Sequence, residues 1–201
     1  MAKALCDELL VLAEEKGSVY WNAAGMLARG WFLALTGKTL DAVSIFTSTI
    51  RAYRSLGSTV CLPVWLSHLA RAYGELGQLD EARSYIDEAM TAVETTKEKW
   101  YEADVHRIAG EIALMSPERD AAKAEACFEQ ALAVARAQQA KSFELRAAMS
   151  MAKLWRDQGR RDEARELLSP VYGWFTEGFD TLDLKQAKAL LDEMTDPQPS
   201  S

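Results

Sequence analysis

The stretch that decides the fold is Gly77-Gln-Leu-Asp-Glu-Ala82. Two similar stretches occur elsewhere in the chain, Gly37-Lys-Thr-Leu-Asp-Ala42 and Gly159-Arg-Arg-Asp-Glu-Ala164. A fourth, altered copy lies at 116–124, where a serine replaces the glycine and the segment is longer. The alanine that closes each copy recurs after 40, 42 and 40 residues. A fixed spacing in this range indicates a tandem array of helical repeats.

Each copy has the features of a turn between two helices. Before Gly77, apolar residues recur at steps of three and four residues, at Leu66, Leu69, Tyr73 and Leu76, which predicts one apolar stripe of a helix. Gly77 can adopt the left-handed conformation that ends a helix without steric strain. Two acids follow it and favour the positive end of the next helix dipole. Each repeat is therefore predicted to be a pair of antiparallel helices.

This repeat unit resembles the tetratricopeptide repeat. The resemblance rests on seven family positions, which fall on Leu69, Ala70, Tyr73, Gly77, Ala82, Ile86 and Ala89. It implies an all-α fold, a right-handed α-solenoid of antiparallel helix pairs, whose first helices line a concave groove. The period near 40 residues is longer than the ~34 residues usual in the family, so we expect longer helices.

About ten helices are expected in a repeat domain over residues 1–194. A partial repeat at 1–16 precedes four helix pairs, at 19–56, 60–96, 99–139 and 142–175, and a closing helix spans 181–194. Residues 195–201 form a polar tail that we expect to be disordered. The opening half-repeat is apolar on more than one side, which suggests a piece of a longer polypeptide or self-association through this helix.

Composition and charge disfavour several classes of function. The net charge of −7 and the pI near 5.0 disfavour nucleic-acid binding, because phosphates would meet net repulsion. No apolar run approaches the ~20 residues that a membrane span needs, and the acidic first 16 residues are unlike a signal peptide. Three widely spaced cysteines fit reduced thiols. We expect a cytoplasmic protein without nucleic-acid or membrane partners.

No residue pattern indicates catalysis, a cofactor or a metal site. Gly37-Lys-Thr39 resembles the end of a phosphate-binding loop, but Phe32 stands where that loop needs its first glycine. The sister repeats carry other residues at this place, so a turn is the better interpretation. His68 and His106 lack the further ligands that a metal site requires. We therefore expect a non-enzymatic chain with no catalytic residues, no metal and no cofactor.

The groove implied by the resemblance supplies the candidate partner-binding residues. Trp31 is turned towards the groove as an aromatic anchor, with packing between helices as the alternative. Projection of the first helices adds His68, Arg71, Glu75, Arg107, Glu111, Arg146, Lys153 and Arg156. Five of these residues are basic, so we expect an acidic peptide or a small anionic effector, held by arginine forks. The alternative is that these charges pair with neighbouring acids. Trp100 and Trp174 are expected to fill gaps between helices.

Longer phrases resemble one group of proteins more closely. They are Glu98–Glu111, Ala124–Arg136, Glu144–Trp155 and, most specifically, Trp174–Leu184. Together they resemble the C-terminal repeat region of bacterial signalling proteins, in which a class III adenylate/guanylate cyclase or DNA-binding domain is joined to a STAND-type ATPase. The resemblance implies a regulatory segment that binds a protein partner. The alternative is a small-molecule sensor that controls an ATPase, cyclase or transcriptional output. Neither enzymatic domain is in this sequence, so neither activity transfers.

Overall fold

A computed structural model describes residues 2–195 of the chain. These residues form ten α-helices, one short 3-10 helix and no strand, which confirms the predicted all-α class. The helices belong to two compact units, which comprise residues 2–101 and 102–195 of the described range. The sequence predicts a disordered tail from residue 195, but Thr195 ends the last helix. Residues 196–201, on which the rest of that prediction falls, lie outside the described residues.

The first unit contains five α-helices. They are α1 (Ala2–Glu15), α2 (Val19–Leu35), α3 (Thr39–Ser55), α4 (Leu62–Glu75) and α5 (Leu79–Thr96), followed by a 3-10 helix, η1 (Lys99–Tyr101). Helix α2 packs on α3, and α4 packs on α5. Consecutive pairs are joined by packing of α3 on α4, and α1 packs on α2. No helix of the described residues is long and apolar enough to cross a membrane.

The second unit also contains five α-helices. They are α6 (Glu102–Met115), α7 (Ala121–Ala137), α8 (Lys141–Asp157), α9 (Arg161–Gly173) and α10 (Leu182–Thr195). Here α6 pairs with α7 and α8 with α9, and α10 packs on both α8 and α9. Its buried residues, Leu184, Ala187, Leu190 and Met194, belong to the same apolar core as those of α7, α8 and α9. The closing helix is therefore an integral part of this unit.

The turn between α4 and α5 has the geometry that the sequence predicts. Gly77 has a φ of +75°, and the amide of Gln78 donates to the carbonyl of Tyr73 at 3.0 Å. This hydrogen bond satisfies a carbonyl that the helix end leaves free. In the altered copy after α6, the left-handed position is taken by Arg119, with a φ of 41°. The turn there is longer and uses a residue other than glycine.

Small and large side chains alternate between repeats at one contact inside each helix pair. A Cβ atom placed on Gly110 of α6 would lie 2.5 Å from a ring carbon of Phe128 in α7. On Gly30 of α2 it would lie 3.2 Å from a ring carbon of Phe46 in α3. The equivalent positions in the other two pairs hold Ala70 with Ile86 and Ala152 with Leu168, all buried. The same space is thus filled by glycine and a phenyl ring, or by alanine and a branched aliphatic side chain.

The prediction that Trp100 and Trp174 fill gaps between helices is wrong. Their exposed fractions are 51% and 58%. Trp100 lies in η1 and Trp174 directly follows α9, so both occupy helix ends rather than helix interiors. Trp155, inside α8, behaves differently. Its ring is covered by the guanidinium of Arg160 at 4.4 Å, and its Nε1 donates to Glu125 at 2.6 Å.

Candidate functional site

Four of the predicted groove residues come together in the first unit. Trp31 of α2 lines an open cleft of about 210 Å³ with His68, Arg71 and Glu75 of α4. The last three are separated by steps of three and four residues, so they project from one face of α4. The remaining walls are apolar and consist of Ala34, Leu35 and Ala72.

Trp31 is the exposed aromatic side chain of this cleft, with 42% of its surface exposed. The centroid of its ring lies 6.1 Å from that of His68. The imidazole in turn stacks with Phe46 at 6.5 Å and lies 5.9 Å from the ring of Tyr101. The Tyr101 hydroxyl lies 3.3 Å from Nε2 of His68. The imidazole is thus held among three rings, which supports Trp31 from one side and leaves the indole open to solvent.

An ion pair between Arg71 and Glu75 borders the cleft. Nε of Arg71 donates to Oε1 of Glu75 at 3.1 Å, and the Thr39 hydroxyl donates to Oε2 at 3.4 Å. Both charged side chains are partly exposed, and such pairs contribute only about 0.2–1 kcal/mol. The pair can therefore open with little loss of stability if a ligand supplies a better partner for either charge.

Four of the five predicted residues of the second unit, Arg107, Glu111, Arg146 and Arg156, are engaged in ion pairs. Nε of Arg107 donates to Asp104 at 2.5 Å, and its Nη1 donates to Glu111 at 2.5 Å. Arg107 is only 7% exposed and Asp104 only 2%. The Glu111 carboxylate also accepts from Ser150 of α8 at 3.3 Å. This guanidinium is held inside the unit and does not face solvent as a free arginine fork would.

Helix α10 supplies carboxylates to the arginines of α8. Nε of Arg146 donates to Asp183 at 2.7 Å, and its Nη1 lies 3.8 Å from Asp104 of α6. Nη1 of Arg156 donates to Glu193 at 2.7 Å. Lys153 is exposed, and it forms no ion pair with another residue in the range 2–195. Apart from this lysine, the predicted cations follow the alternative interpretation, in which groove charges pair with neighbouring acids.

Sequence reasoning missed the acids that neutralise these arginines. Asp104 could have been found, because it precedes Arg107 by three residues and the two therefore share a helix face. Asp183 and Glu193 each follow their arginine by 37 residues and gave no local signal. Only the packing of α10 on α8 brings these charges together.

Burial favours the neutral forms of one histidine and of two cysteines. Burial lowers the pKa of His106, and the opposing charge of Glu102 offsets only part of this effect. Burial also raises the pKa of the Cys61 and Cys127 thiols, which keeps them protonated and unreactive. Among residues 2–195, no group of three or more histidines, cysteines and carboxylates is placed to hold a metal ion.

Comparison with known proteins supports this architecture. Residues 64–96, which lie in the α4 and α5 pair, match the tetratricopeptide repeat family. The fold is tetratricopeptide-like. No curated protein matches the chain significantly.

Two solved structures show the likeness over most of the chain. BtubC (BKLC) from P. vanneervenii is similar with a TM-score of 0.68 and 16% identity, over 100% of this chain and 93% of that one. The Podosopora anserina putative kinesin light chain nearly identical TPR-like repeats are similar with a TM-score of 0.56 and 15% identity, over 96% of this chain and 87% of that one. At these identities the likeness concerns the fold. Tetratricopeptide repeats generally mediate protein–protein interaction.

Proposed function

We propose that the chain is a non-enzymatic interaction module that holds a segment of a partner protein in the Trp31 cleft of the first unit. The proposal rests on the exposed indole face of Trp31, which is supported on its other side by His68 and bordered by the Arg71–Glu75 pair. Exposed tryptophans in a preformed depression are frequent hot spots of protein interfaces. The apolar walls of the cleft add area that a partner would remove from water.

The partner segment needs an apolar or aromatic side chain that covers the indole. An acidic residue next to it would share the Arg71 guanidinium with Glu75, which already accepts from Nε. An acidic residue of the partner is therefore expected to add to the affinity but not to provide most of it. The apolar anchor is the first requirement.

A displayed library of random peptides tests the proposal without a known partner. Peptides selected on the wild-type protein are expected to carry an aromatic or long aliphatic residue. Trp31→Ala is expected to weaken their binding at least ~30-fold, because hot-spot truncations remove ~2 kcal/mol or more. Fluorescence anisotropy of labelled peptides measures the change.

Trp21→Ala is the matched control, because Trp21 belongs to the same helix and is similarly exposed. It is expected to leave peptide affinity unchanged. Selected peptides that bind Trp31→Ala as tightly as wild type would place the binding surface elsewhere. Substitution of acidic peptide residues by their amides then measures what Arg71 contributes.

We further propose that this module is the cytoplasmic regulatory segment of a bacterial signal-transduction protein with an ATPase or cyclase output. The support is the resemblance of the longer sequence phrases, above all Trp174–Leu184. The coding sequence upstream of this segment tests the proposal. An upstream STAND-type ATPase or class III cyclase domain is expected, and a gene that encodes neither would overturn the context while leaving the interaction module intact.

Self-association through α1 is a second proposed role. Leu5, Val11 and Leu12 of this helix are each at least half exposed. Leu5 and Leu12 are seven residues apart and share one face of the helix, and exposed apolar surface marks interfaces in soluble proteins. Sedimentation equilibrium is expected to show a concentration-dependent dimer that Leu5→Lys with Leu12→Lys abolishes. A wild-type protein that stays monomeric over the accessible concentration range would contradict this role.

A further inference from the structure

A second cleft lies in the first unit, between α1 and the other face of α2. It has a volume of about 170 Å³ and is lined by Cys6 and Asp7 of α1, by Arg29, Phe32, Leu33 and Thr36 of α2 and its C-cap, and by Lys38. Arg29, Leu33 and Thr36 follow helical steps of four and three residues and therefore share one face. Trp31 and Leu35 occupy a different face, so this cleft is separate from the Trp31 cleft.

The charges that line this cleft are not neutralised by the chain. Asp7, Arg29 and Lys38 form no ion pair with one another or with any other side chain in the described range 2–195. The arginines of the second unit differ in this respect, since Arg107 and Arg146 each contact a carboxylate closely. Two cationic side chains and one carboxylate, all exposed to solvent and outside any ion pair in the described range, thus border the same small space.

The cleft also offers an acceptor and an apolar wall. The Thr36 hydroxyl donates its proton to the backbone carbonyls of Phe32 and Leu33, at 3.0 and 3.1 Å. Its oxygen can therefore act towards a ligand only as an acceptor. The side chains of Phe32 and Leu33 supply the apolar wall. The lining thus combines donors for an anion, acceptors for a cation and a surface for a short hydrocarbon group.

We propose that this cleft binds a free α-amino acid with a short aliphatic side chain. The ligand carboxylate is held by Arg29 and Lys38, the ammonium group by Asp7 and Thr36, and the side chain by Phe32 and Leu33. A simple anion would meet the carboxylate of Asp7, and a simple cation would meet Arg29 and Lys38, whereas a zwitterion matches both signs. A space of about 170 Å³ equals the volume of roughly six water molecules, which suits leucine or valine.

Ligand-observed NMR with the full chain tests the proposal. Three compounds with the same hydrocarbon group are compared. Leucine carries both charges, 4-methylpentanoate carries only the carboxylate, and 3-methylbutylamine carries only the ammonium group. Leucine is expected to bind at about millimolar concentration or below and to be displaced by valine. Each analogue that lacks one charge is expected to bind at least ~10-fold more weakly, because one charge-assisted hydrogen-bond set is lost.

Variants connect the binding to the named residues. Arg29→Gln and Asp7→Asn are each expected to weaken leucine binding about tenfold or more, whereas Arg51→Gln, which removes an exposed arginine of α3 outside the cleft, leaves it unchanged. Circular dichroism checks that each variant is folded, and Lys38→Gln replaces any variant that is not. Absence of saturation transfer to leucine or valine at about 10 mM would overturn the proposal. Equal affinity for leucine and 4-methylpentanoate, or unchanged binding in all the cleft variants, would overturn it too.

This site is independent of the proposed interaction function. Trp31→Ala is expected to leave leucine binding unchanged, and Arg29→Gln is expected to leave peptide binding at the Trp31 cleft unchanged. A loss of one activity without the other therefore shows which of the two proposals fails.

Discussion

The first helices of the two units carry different surfaces on the same repeat pattern. In residues 2–101, α2 and α4 present an open indole, an imidazole held among rings and one exposed ion pair. In residues 102–195, α6 and α8 present arginines that are engaged by Asp104, Glu111 and the acids of α10. The first surface keeps an exposed indole, and the second pairs its charges internally except for Lys153. The repeat thus determines where a side chain lies but not whether it is available.

Truncation of Arg107 gives the largest expected effect. Arg107→Ala leaves the buried Asp104 carboxylate without its closest cation and is expected to lower the free energy of unfolding by about 3–5 kcal/mol. Arg71→Ala removes a partly exposed ion pair in the first unit and is expected to change the free energy of unfolding by less than about 1 kcal/mol. Urea unfolding followed by circular dichroism measures both variants. Equal losses would mean that the two ion pairs are not different in kind.

The buried glycines give the next effect. Gly110→Ala would place a Cβ atom 2.5 Å from the Phe128 ring and is expected to destabilise by about 1–3 kcal/mol. Gly30→Ala meets Phe46 at 3.2 Å, and its gain in helix propensity of up to ~1 kcal/mol is expected to offset most of the strain. Thermal unfolding of both variants measures the difference.

A compensating substitution checks the cause. Because two other repeats combine alanine with a branched aliphatic residue at these positions, Phe128→Leu is expected to restore part of the stability that Gly110→Ala removes. A double variant that is less stable than Gly110→Ala alone would show that the contact does not act as a matched pair.

The smallest expected effect is a pH dependence confined to the second unit. Burial lowers the pKa of His106 below its ordinary value of 6.5, so the unfolded chain binds the proton more readily than the folded chain does. The stability that depends on neutral His106 is therefore present above the unfolded pKa and is lost as the pH falls below about 6.5.

Urea midpoints of wild type and His106→Asn, measured from about pH 7.5 to pH 5, test this expectation. As the pH falls, the urea midpoint of the wild type is expected to decrease relative to that of the variant, since the variant carries no group to protonate at this position. The difference curve cancels contributions that both proteins share. A difference that does not change with pH would contradict the expectation.

The sequence predicts the fold well because its signals are local and repeated. The glycine turn at Gly77, the apolar steps before it and the recurring alanines all act within one helix pair, and the structure has the expected ten helices in the range 2–195. The position of Trp31 on the cleft, beside His68, Arg71 and Glu75, was also accessible from the repeat register. The pairing of the surface charges was not accessible from the sequence. Their neutralisation depends on acids of α10, which reach the arginines of α8 only through the packing of these two helices.

The exposed tryptophans show the same limit. Trp100 and Trp174 are apolar and lie next to helical segments, so burial is the natural expectation from the sequence. Their positions at helix ends turn them towards solvent, and helix boundaries are the least certain part of an interpretation from periodicity. Trp155, in the interior of α8, lies where the repeat register puts it.

The matched pairs inside each helix pair also restrict how such an array can be rearranged during evolution. A crossover in the turn between the first and second helix of a repeat would join Ala70 to a phenylalanine, or Gly110 to an isoleucine, giving a clash or a void. A crossover between complete helix pairs carries both members of each pair together. Duplication and exchange of these repeats are therefore expected to have breakpoints between complete helix pairs, around residues 17, 57, 98 and 140. The turns inside the pairs, at Gly37, Gly77 and Gly159, make the repeat recognisable but are not expected to be breakpoints.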